Sequence, residues 1–177
     1  RKSGKEKQLN ALLKINKYTR RIGLDISKKA TKQITDLFGG RMKMLIVGGA
    51  AIDGKIMDFF RSLGINAVQG YGLTETSPMV SLNPDNAKLI DNASAGHLLP
   101  FVECMIADKD AEGIGEICFR GPNIMMGYYK DPESTADAIV DGWFHTGDLG
   151  YINENDYVYI TGRKKNVIIA ANGKNVF

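Results

Sequence analysis

The apolar positions change texture along the chain. In the first third they recur at helical spacing. Leu9, Leu12, Leu13 and Ile15 predict a moderately amphipathic helix over residues 5–22. A second helix opens at Ser27, carries Ala30, Ile34, Leu37 and Phe38, and stops at Gly39-Gly40. Met44 to Val47 is a short apolar strand, broken by Gly48-Gly49-Ala50. Asp53 then caps a helix whose apolar face is Ile56, Phe59, Phe60 and Leu63, closed by Gly64. Ile65 to Gln69 reads as the next strand, so this strand–helix–strand unit predicts two parallel neighbours with a right-handed crossover.

Beyond Ser81 the apolar residues alternate in short runs at Phe101–Ala107, Glu116–Arg120 and Tyr157–Ile160, with Gly, Asn and Asp between them. That pattern predicts an antiparallel, barrel-like section. Asp131-Pro132-Glu133 starts a short helix through Ile139, and Asn172-Gly173 reads as a two-residue hairpin turn. The fold class is therefore α/β, with a parallel layer followed by antiparallel sheet.

Composition fits this picture. The 177 residues are 44% hydrophobic and 24% charged, the range of a globular domain with a real core. No apolar run reaches the roughly 18 residues of a spanning helix. Arg1 to Gln8 is basic without an apolar stretch behind it, so no secretory leader is expected and the cytoplasm is the default location. The lack of an initial Met, and a last run, Gly173 to Phe177, that stops in mid-pattern, suggest a piece of something longer.

Charge divides the chain. Residues 1–43 hold 13 Lys and Arg against 3 Asp and Glu, whereas the rest is net acidic. A basic helical front could touch the anionic face of a membrane, although a solvated helix face is the simpler reading. No aromatic residues interleave the charges as stacking on bases requires, so no nucleic-acid partner is expected. Cys104 and Cys118, with His97 and His145, have no zinc-ligand spacing and read as buried small residues.

Two constellations carry candidate chemistry. Gly48-Gly49-Ala50 and Gln69-Gly70-Tyr71-Gly72-Leu73-Thr74-Glu75-Thr76 follow the two parallel strands, at the edge where such sheets bind ligands. Tyr71 offers a flat face to a purine, Thr74 a hydroxyl to a phosphate oxygen, and Glu75 a hard carboxylate to Mg²⁺. Two ordinary tight turns would look the same. Neither a G-x-G-x-x-G nor a G-x-x-x-x-G-K-[ST] loop is present in the chain.

The second constellation joins Thr146-Gly147-Asp148 to Gly162-Arg163. If Asn153 to Asp156 closes a hairpin with Ile152 facing Tyr157, Asp148 faces Thr161 and Arg163 lies two residues on. An acid that accepts from adjacent hydroxyls and a base that donates would suit a ribose. A surface ion pair is the alternative.

Together, Gly70 to Thr76, Gly127-Tyr128-Tyr129, Asp141 to Asp148 and Ile160 to Lys165 resemble, in order, the motifs of the acyl-adenylate-forming enzymes. The resemblance runs from about Gly39 to Phe177 and is strongest to the long-chain fatty acid–CoA ligases. It implies ATP-dependent activation of a fatty acid to acyl-AMP and transfer to CoA, with ATP, the fatty acid and CoA as small-molecule partners and Mg²⁺ as cofactor. Other acyl-adenylating activities, or a nucleotide-binding remnant without catalysis, remain open. Residues 1–164 would be the C-terminal portion of the large adenylate-binding domain, and 165–177 the start of the small one.

The resemblance also implies roles. Thr74 and Glu75 would serve catalysis, with Glu75 on Mg²⁺. Gly48, Gly49, Ala50, Gln69, Gly70, Tyr71, Gly72, Thr74, Asp148, Ile160 and Arg163 would contact the nucleotide. Lys165 would be the hinge, and Gly173 would lie in the loop of the thioester step. The family's triphosphate loop and catalytic lysine have no match in the chain.

Overall fold

A computed structural model describes residues 32–164, 168–169 and 175–176. These form two compact units: residues 32–46 with Ile52–Val68, and Val47–Ala51 with the remainder from Gln69 onward. The helix expected over residues 5–22 and the start of the next lie outside the described residues.

In the first unit, α1 (Lys32–Leu37) ends where Gly39 donates to the Asp36 carbonyl at 3.0 Å. β1 (Met44–Val47) follows, then α2 (Gly54–Ser62). Asp53 caps α2 as expected, its carboxylate accepting from the Lys55 N–H at 2.8 Å. β2 (Asn66–Tyr71) begins with the Asn66 N–H on the Lys43 carbonyl. The buried residues are Met57, Leu63, Ile65, Ala67 and Val68. The face of α2 is thus centred on Met57 rather than on Ile56 and Phe59, which are 47% and 39% exposed. Phe60 and Phe38 meet edge to face at 6.0 Å between centroids.

In the second unit the end of β2 pairs antiparallel with β3 (Ser81–Leu82), and β3 pairs antiparallel with β4 (His97–Leu98). A larger antiparallel sheet holds β5 (Glu103–Ala107), β6 (Gly115–Arg120), β7 (Ile139–Val140), β8 (Trp143–Ile152) and β9 (Val158–Arg163) in the order β5-β6-β8-β7, with β9 also on β8. A helix, α3 (Pro132–Ala138), precedes β7 and is capped by Asp131. Tyr71, Val80, Ala95, Val102, Ile106, Ile117, Phe119 and Val158 form the core. The α/β class and the antiparallel section therefore hold.

The β8–β9 register differs from the expected one. Ile152 opposes Val158, not Tyr157, and Asp148 opposes Arg163, not Thr161. Two local features account for it. Asn153 pairs with Tyr157, so the loop is three residues long with Asp156 at φ 57°, and the Asn153 side chain accepts from the Asn155 and Tyr157 N–H groups. A bulge between Leu149 and Gly150 then adds one more residue on β9.

Farther on, β10 (Ile168–Ile169) pairs antiparallel with β11 (Asn175–Val176), with Ile169 opposite Asn175. Asn172-Gly173, expected as a two-residue turn, falls between these two strands in the sequence. The turn residues lie outside the described set.

Candidate active site

The centre of the site is Asp148, whose side chain is only 3% exposed, so its pairing with Arg163 is not the surface ion pair that was the alternative. Its Oδ1 accepts from Arg163 Nε at 2.5 Å and its Oδ2 from the Tyr71 hydroxyl at 2.5 Å. Register alone brings Asp148 and Arg163 together, since they are direct partners across β8 and β9. A carboxylate has about four acceptor positions, so two bonds leave capacity for a ligand's hydroxyls. Arg163 is 32% exposed and forms the open side of the pair.

Tyr71 sits elsewhere than the sequence suggested. Its ring belongs to the core, tilted against Phe119 at 6.0 Å, and the residue is 8% exposed. The face expected to meet a purine is largely covered, because the end of β2 is buried and the Tyr71 ring packs into the core beside Phe119. Burial, and then the Asp148 charge, raise its hydroxyl well above the usual tyrosine range, so it stays a neutral donor to Asp148.

The loop after β2 is held by close backbone contact. A Cβ on Gly72 would come 1.9 Å from the Pro78 carbonyl oxygen, so only glycine fits there. Thr74–Thr76 makes a 3-10 turn closed by Thr76, whose hydroxyl accepts from the Leu73 N–H. Thr74 is exposed and Glu75 half-buried. Glu75 Oε1 accepts from the Tyr128 hydroxyl at 2.9 Å, and a carboxylate with one such bond keeps acceptor capacity for a cation. Asn123 braces the same loop by donating to the Thr76 and Met79 carbonyls.

Gly48 lies near Gly70, since a Cβ on it would stand 3.3 Å from the Gly70 carbonyl. Gly49 and Ala50 are exposed beside it. Gln69 accepts from the Asn83 backbone N–H, and Ile160 is 41% exposed opposite Gly150. Lys165 and Gly173 lie outside the described residues.

Sequence reasoning missed Glu116 and Tyr128 as site residues. Glu116 is 5% exposed on β6, with Gly147 N–H, His145 Nδ1 and Lys164 Nζ at 2.9, 2.8 and 2.8 Å from its carboxylate. Burial works against its charge, but these bonds outweigh it and hold the carboxyl below its ordinary value. The available signal was an acid inside an otherwise apolar strand run, Gly115 to Phe119. Cys118 and His145, unrelated by spacing, prove to be cross-strand partners with Sγ and Nδ1 3.4 Å apart.

Comparison with known proteins gives the chain its family. The family described as AMP-binding enzyme matches residues 7–129. The chain belongs to the AMP-binding enzyme family. It is 37% identical over 145 residues to the long-chain-fatty-acid–CoA ligase FadD15 of Mycobacterium bovis, covering 82% of this chain and 23% of that protein. To the long-chain-fatty-acid–CoA ligase ACSBG1 of Homo sapiens it is 44% identical over 131 residues, 73% of this chain and 18% of that one. A fatty acyl CoA synthetase structure from Mycobacterium tuberculosis matches at a TM-score of 0.61 and 32% identity, over 76% of this chain and 28% of that chain. This AMP-binding chain thus spans about a fifth of the length of the curated ligases it matches. No helix among its described residues is long and apolar enough to cross a membrane.

Proposed function

We propose that this segment supplies the ribose- and metal-binding residues of an AMP-forming fatty acid–CoA ligase. The observation that carries the reading is the buried Asp148 held between Arg163 and Tyr71. A carboxylate fixed by two donors, with acceptor capacity to spare, is preorganised for the adjacent hydroxyls of a nucleotide ribose. The family match and the ligase relatives support the reaction. In it the acid's carboxylate attacks the α-phosphorus of ATP and pyrophosphate leaves; the CoA thiol then attacks the acyl carbon and AMP leaves.

In that scheme Thr74 donates to an α-phosphate oxygen, and Glu75, steadied by Tyr128, would hold Mg²⁺, which neutralises charge on the phosphates. Gly48 to Ala50 line the adenine and acyl end, and Gln69, Gly70 and Gly72 contact the nucleotide beside them. Ile160 lies beside the nucleotide on β9. Lys165 starts a small domain of residues 165–177 as its hinge, and Gly173 serves the CoA step. A location in the cytoplasm, with the basic N-terminal region against a membrane surface, is consistent with long-chain acids as substrates.

The test is AMP release by a protein of the relatives' full length that carries this segment, across acids of graded chain length. CoA-dependent AMP formation with long-chain acids is expected. AMP release without CoA dependence, or none with any acid, overturns the ligase reading.

A further inference from the structure

The β6–β8 pairing is irregular where the site lies. Glu116 opposes Leu149, yet Cys118 opposes His145, so two steps along β6 match four along β8. The surplus residues of β8 arch out at Thr146 to Asp148, as bulges beside functional sites do. Gly147 takes φ 73° in that arch. Glu116 projects into it: Oε1 accepts from the Gly147 N–H, while Oε2 meets His145 Nδ1 and Lys164 Nζ. A carboxylate held ionised can only accept, so His145 donates through Nδ1. The arch is gripped again from outside, where the Lys164 N–H donates to the Gly147 carbonyl at 2.8 Å. One side chain therefore ties together residues beside both members of the Asp148–Arg163 pair.

Glu116, Cys118 and His145 also place three metal-ligating atoms within 4.8 Å of one another. The Lys164 ammonium already stands at the carboxylate, and burial pushes the Cys118 thiol up to about 12, so the protein's own cation fills that place.

We infer that Glu116 is a positioning residue for ribose recognition: by filling the β8 arch and anchoring Lys164, it holds Asp148 and Arg163 in the geometry that selects adjacent hydroxyls. This rests on the ribose-binding reading of Asp148. Glu116 touches no substrate and acts through Asp148 and Arg163.

The test compares AMP with 2′,3′-dideoxy-AMP by calorimetry, on the 177-residue chain and on a full-length protein carrying it. The unaltered protein should prefer AMP. Glu116→Gln keeps the shape and removes the charge, and should cut that preference by about tenfold, the equivalent of one charge-assisted hydrogen bond. A purely structural effect would weaken both nucleotides equally and leave the ratio unchanged. Glu116→Asp, which keeps the charge but cannot reach all three donors, gives the same reading where the glutamine variant is insoluble. A retained preference in either soluble variant overturns the inference. No preference in the unaltered protein overturns the ribose reading itself, and this inference with it.

Discussion

Glu75 and Tyr71 separate chemistry from support at the level of single residues. Glu75→Gln changes a hard anionic ligand into a neutral amide of the same shape, and Tyr128 can still donate to it. ATP–pyrophosphate exchange by the full-length protein should fall by roughly 10²-fold or more, the scale of one lost electrostatic contact. Near-normal exchange removes Glu75 from the metal site. Tyr71→Phe deletes only the hydroxyl on Asp148 and leaves the ring against Phe119. A hydrogen bond to a charged group is worth roughly 1.5–3 kcal/mol, so AMP affinity should drop about tenfold or more. Unchanged calorimetric affinity would show that the bond serves folding alone. Glu116 makes a pH prediction. Its folded carboxyl lies below the ordinary 4.5, so its contribution is present above that value and is lost as pH falls through the folded one. In melting curves, Glu116→Gln should therefore flatten the decline in stability below pH 4.5, while an identical acid limb would place the cause in other carboxylates.

At the level of elements, the β8–β9 hairpin shows what was legible in sequence and what was not. Period-two alternation at Tyr157–Ile160 announced β9, and the Asn- and Asp-rich loop before it suggested a hairpin partner. Register depended on a left-handed Asp156 and on a bulge at Leu149, neither of which alternation encodes. The pairing of Asp148 with Arg163 survived that error because the shift brought Arg163 closer. Tyr71 was misplaced for a related reason: a motif identifies a loop, but tertiary packing against Phe119 decides where the ring lies. Glu116 stayed invisible because its partners, His145, Gly147 and Lys164, arrive from β8 and the end of β9. The arch itself can be probed through Gly147, whose φ of 73° suits glycine although a Cβ there would meet no neighbour. Gly147→Ala should cost about 1–2 kcal/mol in denaturant unfolding, purely as backbone strain. It should weaken AMP binding as well, since the neighbouring Asp148 must shift. Lost stability with unchanged AMP affinity would detach the arch from the site.

For the molecule as a whole, the question is which part of a nucleotide this chain can hold by itself. Within the second unit, the proposed function gives Asp148, Arg163 and Tyr71 to the ribose and, on the loop after β2, Thr74 and Glu75 to one phosphate. The sequence contains no G-x-x-x-x-G-K-[ST] loop, and its relatives are about four times its length. Backbone donors for the outer phosphates, and a cation to stabilise charge at the α-phosphate, are thus expected from elsewhere in a full-length ligase. The 177-residue chain should therefore bind AMP and ATP with affinities within roughly threefold of each other, a difference under 1 kcal/mol. It should form neither acyl-AMP nor acyl-CoA. Calorimetry with the two nucleotides and a coupled AMP-release assay check the two halves of the prediction separately. ATP binding more than about tenfold tighter than AMP would mean that the chain carries its own outer-phosphate site. Acyl-CoA synthesis by the isolated chain would mean that the whole catalytic apparatus lies within it, and the assignment of the missing charge stabilisation to other parts of a ligase would fail.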